Sequence, residues 1–125
     1  MKFAYKVVDI DEEGKFVSSS ETGNRQKRYY RNLFVKRCKQ FGPLCLFRTL
    51  KSARQYCSNM NGNDKFKIFK AEYIPAINET FYNDMGGRYS VDNVLQMFAP
   101  CFKGIPKEDF VLAESVKLLE ERNKK

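Results

Sequence analysis

One stretch constrains the fold of this chain more than any other: Thr49 to Met60, TLKSARQYCSNM. Leu50, Ala53, Cys57 and Met60 recur at helical spacing and so share one side of a helix, while Lys51 and Arg54 fall on other faces. Thr49 is a good N-cap, and Asn61-Gly62-Asn63 is a stop signal. The surroundings read differently. Phe3 to Ile10 places Phe3, Tyr5 and Val7 on one face of a strand, and Asp11-Glu12-Glu13-Gly14 turns it into a second strand, Lys15 to Ser18. Arg28 to Arg31 and Leu44 to Arg48 suit short strands.

Further along, Phe66 to Ile74 is the longest strand candidate before Pro75. Its apolar set changes parity between Ile68 and Phe69, which implies a bulge or burial on both faces. Asn83 to Arg88 is a loop, and Ser90 can cap a short helix through Phe98. Phe110 to Leu119 suits a closing strand, although its helix propensity is also high, and Glu120 to Lys125 reads as a charged tail. With 125 residues and 42% apolar content, one core is the natural outcome. The expectation is a single α+β domain over 1–119: a small antiparallel sheet on one main helix, with a less regular C-terminal half.

Four segments carry a resemblance. They are Tyr5-Lys6-Val7-Val8; Gly42-Pro43-Leu44-Cys45-Leu46-Phe47-Arg48-Thr49-Leu50 leading to Ala53 and Tyr56; Phe66 to Glu72; and Val111-Leu112-Ala113-Glu114-Ser115-Val116. Together they resemble small phage and prophage proteins in which a "plfvF" strand enters a "sLe-x-A-x-x-f" helix. The likeness touches roughly half the chain as scattered short motifs. It implies a compact α+β sheet domain of phage or bacterial origin, and it implies no activity.

No histidine is present, which removes the commonest neutral-pH base and the commonest metal ligand. Cys38, Cys45, Cys57 and Cys101 form no Cys-x-x-Cys pair, so four free thiols, no metal and no cofactor are expected. Cys38, between Arg37 and Lys39, would have a lowered thiol pKa if exposed; a thiol tucked under the sheet is the plainer reading. Asp9 to Gly14 resembles part of a calcium loop, but the twelfth position is Ser20 rather than a bidentate Glu, and an acidic hairpin turn explains it better. Ser18, Ser19 and Ser20 lack a partner base, and no glycine cluster forms a phosphate-cradling loop. A non-enzymatic protein is the expectation. MKFAYKVVDI is too short in apolar run for a signal peptide or a membrane span, which points to a cytoplasmic location, in a bacterium or an infected host cell.

Charge location is the strongest functional signal. From Thr22 to Asn63 there is no Asp or Glu, yet Arg25, Lys27, Arg28, Arg31, Lys36, Arg37, Lys39, Arg48, Lys51 and Arg54 all fall there. The formal net charge of +8 therefore comes entirely from this window. A one-signed block concentrates polyanions and releases their counterions on contact. Tyr29, Tyr30, Phe34 and Phe41 add rings for base stacking, although the adjacent strand residues Tyr29 and Tyr30 must face opposite ways. The plain alternative is a solvated charged surface with core aromatics. The expected function is a small binding module whose basic face engages nucleic acid first; the second reading is an inhibitor or accessory factor docking on an acidic host-protein surface.

Overall fold

Among the described residues, nine strands and two α-helices follow one another along the chain. They are β1 (Lys2–Ile10), β2 (Phe16–Ser18), β3 (Arg28–Tyr29), β4 (Phe34–Lys36), β5 (Leu44–Phe47), α1 (Leu50–Asn59), β6 (Lys67–Pro75), β7 (Phe81–Tyr82), β8 (Arg88–Tyr89), α2 (Val91–Met97) and β9 (Phe110–Arg122). The computed structural model describes residues 1–19, 27–37, 42–61, 66–82, 85 and 87–122.

Closure of the main sheet is the central fact of the architecture. β1 pairs with β6 along Lys2–Val8 and meets β5 at Tyr5↔Phe47. β9 pairs with β6 on one edge and with β5 on the other. All four pairings are antiparallel, so β1, β6, β9 and β5 form a circuit without a free edge. β2 and then β3 continue from β1, while β4 lies beside β5 along the same edge of β9. Bridges Tyr30↔Leu33 and Arg31↔Leu118 tie β3 and β4 back to β9. The domain is sheet-dominated, with helices at its margin, rather than a sheet resting on one main helix.

Strand parity sorts the core into two parts. Ala4 and Val8 of β1, Phe69 and Ala71 of β6, and Val116 and Leu118 of β9 fill the inside with Tyr29 and Leu46. On the outside, Val7, Phe47 and Ile68 meet Ala53, Tyr56 and Cys57 of α1. β6 is thus buried on both faces near Ile68 and Phe69, and its pairing with β9 also shifts register after Phe69. Both explanations of the parity change hold at once.

α1 begins as its sequence requires: the Thr49 side chain accepts from the Ser52 backbone N–H, and Asn61 ends the turn at φ 53°. Lys51 is exposed, and Leu50 packs part-buried against the helix-side core. The acidic turn is closed by Asp11, whose Oδ1 accepts from Glu13 N–H and Lys15 N–H at 2.9 and 2.8 Å, with Gly14 at φ +81°. Phe3, Tyr5 and Val7 share one face of β1, opposite Ala4 and Val8; Val7 is buried there against the α1 side and Phe3 is exposed. One expectation changes. The last strand continues beyond Leu119 to Arg122, because Glu121 and Arg122 pair with Phe69 and Ile68. Within the C-terminal half, the less regular part is the passage between β6 and β9.

Candidate functional site

Alternation along β3 separates the residues of the basic window. Lys27 and Tyr29 turn inward and line a cavity, with Tyr29 only 2% exposed. Tyr29 is thereby removed from any external stacking surface. Arg28 and Tyr30 turn outward, and the Arg28 guanidinium sits 4.6 Å from the Tyr30 ring centroid. After the turn at Asn32 (φ 61°), Phe34 and Lys36 are again exposed while Val35 packs inward. Arg28, Tyr30, Phe34 and Lys36 form a short two-stranded ribbon of alternating charge and ring.

The ribbon continues across the outer face of the sheet. Phe34 is paired with Lys117, Lys117 with Glu72, and Glu72 with Phe3, so these four residues make one row across β4, β9, β6 and β1. The Lys117 Nζ lies 4.8 Å from the Phe34 centroid, and the Lys70 Nζ lies 5.1 Å from the Phe3 centroid. Such exposed contacts contribute roughly 0.5–1 kcal/mol each. Glu72 is held by Lys117 at 3.2 Å. Phe3 and Phe34 stand three strand spacings apart, about 14 Å. Sequence reasoning named Phe34 as a stacking ring but missed Phe3, Lys70 and Lys117; only the register, which is a long-range property, makes them neighbours.

Other basic residues lie elsewhere. Arg31 Nε and Nη2 both donate to the Leu119 carbonyl at 3.3 Å, and its guanidinium is 5.9 Å from the Phe69 ring. Arg48 Nε donates to the Glu108 carbonyl at 2.9 Å, close to the start of β9. The two anchor points are separated by about 30 Å of extended chain. Lys51 is exposed on α1 and Arg54 is half-buried there, on the Arg48 side. Arg37 is pinned between the Asn78 carbonyl at 3.1 Å and Glu114 at 3.8 Å. Arg25, Lys39 and Cys38 lie outside the described residues. The described candidates are divided among the ribbon, the cavity, the β9 edge and α1.

Nor does the acid-free window stay acid-free in space. β4 lies against β9, which brings Glu114, while Lys67–Glu121 and Lys117–Glu72 ion pairs run along the neighbouring strands. Among the described residues, Lys27, Arg28, Arg31, Lys36, Arg48 and Lys51 form no ion pair with a carboxylate, and of these Arg28 and Lys36 lie on the ribbon.

Lys6 is a further missed residue, and the most unusual one. It shares the inner face with Ala4 and Val8, is 6% exposed, and its Nζ donates to the Cys45 carbonyl at 2.8 Å. The Tyr29 ring centroid is 4.9 Å away. Burial disfavours its ammonium, but the Tyr29 phenol, the Cys45 thiol and a hydrogen bond with Tyr29 outweigh that and hold its pKa above the ordinary lysine value. Lys6 is a charged group inside the sheet. The signal was visible as a Lys in an otherwise apolar alternation, Ala4-Lys6-Val8.

Cys45, Cys57 and Cys101 are thiols not joined by disulfides. Among the described residues, no three His, Cys, Asp or Glu side chains group as metal ligands, and no helix is long and apolar enough to cross a membrane. No family model, no curated protein and no solved structure matches this chain.

Proposed function

We propose that the protein is a non-enzymatic binding module for nucleic acid, single-stranded first, taken across the outer face of the sheet. The in-register row Phe3–Glu72–Lys117–Phe34 carries this reading, because it sets two exposed rings about two nucleotides apart and gives each a lysine neighbour. Arg28, Tyr30 and Lys36 extend the strip and supply phosphate contacts. The chain-wide net charge of +8 adds the long-range attraction.

Titration of a fluorescent oligothymidylate against the full chain tests it. Affinity should fall steeply as salt rises. The double variant Arg28→Glu, Lys36→Glu should weaken all sequences about equally, and Phe34→Ala should remove a stacking contribution of roughly 1–3 kcal/mol. Binding that ignores all three substitutions, or no binding at physiological salt, defeats the reading. Capture of an acidic protein through the same strip after nuclease treatment would replace it with the inhibitor or accessory-factor reading, in which the strip supplies association rate and the rings affinity.

A further inference from the structure

A cavity of about 340 Å³ lies between the closed sheet and the layer formed by β7, β8 and α2. Its walls are mainly apolar, with Leu44 and Phe47 from the sheet side and Val94, Met97, Phe98 and Phe102 opposite. The volume falls at the lower end of the roughly 300–1,000 Å³ typical of small-molecule sites. Polar groups converge at the inner end, where Lys6, Ser18 and Tyr29 are all buried. Met97 and Phe98, in contrast, are 57% and 49% exposed and form a rim. The cavity is graded from a buried ammonium to an apolar mouth.

Its charge is unbalanced. Lys6 and Lys27 both line it, and among the described residues no Asp or Glu does. An ammonium has three donors; the Cys45 carbonyl takes one and the Tyr29 ring lies beside the group, which leaves donor capacity for an incoming acceptor. A buried cation without a carboxylate is the arrangement that an anionic headgroup completes. One fully buried ammonium suits a monoanion, whereas a phosphate dianion calls for more cations or a fork of donors than this end provides.

We propose that this cavity binds a small amphipathic carboxylate, headgroup inward against Lys6 and apolar body along Phe47, Phe102 and Phe98 towards the rim. The site is separate from the outer strip: Lys6 and Phe3 lie on opposite faces of β1. Occupation by such a ligand also gives Lys6 a reason to be where an apolar residue would pack.

Isothermal titration of the full chain with octanoate, octanol and octylamine tests the proposal, since the three share one tail and differ in headgroup. Octanoate should bind saturably and at least about tenfold tighter than octanol, with octylamine weakest, because only the carboxylate forms a charge-assisted bond with Lys6. Lys6→Met keeps the apolar volume and should reduce the octanoate preference over octanol to near unity. The comparison of headgroups on the wild-type chain stands alone should that variant fail to fold. Equal affinity for octanoate and octanol, undiminished octanoate binding by a folded Lys6→Met, or no saturable octanoate binding would each overturn the proposal.

Discussion

The closed sheet and the layer beside it are built on different terms. In the sheet, Val8, Leu46, Ile68, Ala71, Ala113, Val116 and Leu118 are fully buried, and each strand of the circuit is hydrogen-bonded on both edges. In the layer, α2 buries no residue at all, and among the described residues β7 and β8 pair only with each other. The segment after α2 is fastened to α1: Phe102 stacks on Tyr56 with centroids 5.9 Å apart, and Asn59 Nδ2 donates to the carbonyls of Cys101 and Lys103 at 3.0 and 2.8 Å. The buried sheet is therefore expected to carry most of the stability. Local opening free energies should differ accordingly.

The largest test of that contrast is Phe69→Ala. Phe69 is 1% exposed, packs edge-on to Phe16 at 5.0 Å and anchors the inner core. Its truncation should cost about 3–5 kcal/mol and lower the urea midpoint of the whole domain in one transition. A loss below about 1 kcal/mol would mean that the inner core is not the seat of stability.

Next comes Gly42→Ala. Gly42 has φ +112°, and an added Cβ would lie 2.9 Å from the Thr80 carbonyl oxygen and 3.0 Å from Phe81 Cα. Both strain and contact oppose the substitution, which should cost about 1–3 kcal/mol. Because the obstructed backbone belongs to the layer, amide exchange in Phe81–Tyr89 should accelerate far more than in β6 or β9. Uniform acceleration would show the two regions to be one cooperative unit.

The finest test compares two caps. The Thr49 side chain accepts from Ser52 N–H at 3.1 Å and the Ser90 side chain from Asn93 N–H at 3.2 Å, so each substitution by Ala removes the same kind of bond. Thr49→Ala should lower global stability by about 1 kcal/mol, whereas Ser90→Ala should leave the urea midpoint nearly unchanged and speed exchange only in α2. Equal global losses would erase the distinction between the regions.

Local signals in the sequence were sufficient where the physics is local. The α1 stripe, both N-caps and the Asp11–Gly14 turn depend on residues within one or two turns of each other, and all are legible from spacing. β9 was readable as a strand from Phe110, Leu112, Val116 and Leu118, but its true extent depends on pairing with Ile68 and Phe69, over fifty positions away in the chain. The same limit applies to function. An acid-free window is a linear property, whereas a surface field depends on cross-strand neighbours such as Glu114 beside Arg37. Parity predicted that Tyr29 and Tyr30 part company, yet which one turns inward was settled only by closure of the sheet.

The position of β9 in the chain has a consequence for synthesis. β9 is the strand that joins β4, β5 and β6, and it leaves the ribosome after all of them. Until it emerges, β1 and β6 can pair, but the far edge of β6 and the edge of β5 that β9 will occupy remain open templates for other chains. A nascent chain halted before Phe110 would be a half-sheet with two sticky margins. Its solubility at that stage depends on chaperone cover, on the speed of the last stretch of translation, and on Lys67 and Lys70, the charges that border the waiting edge.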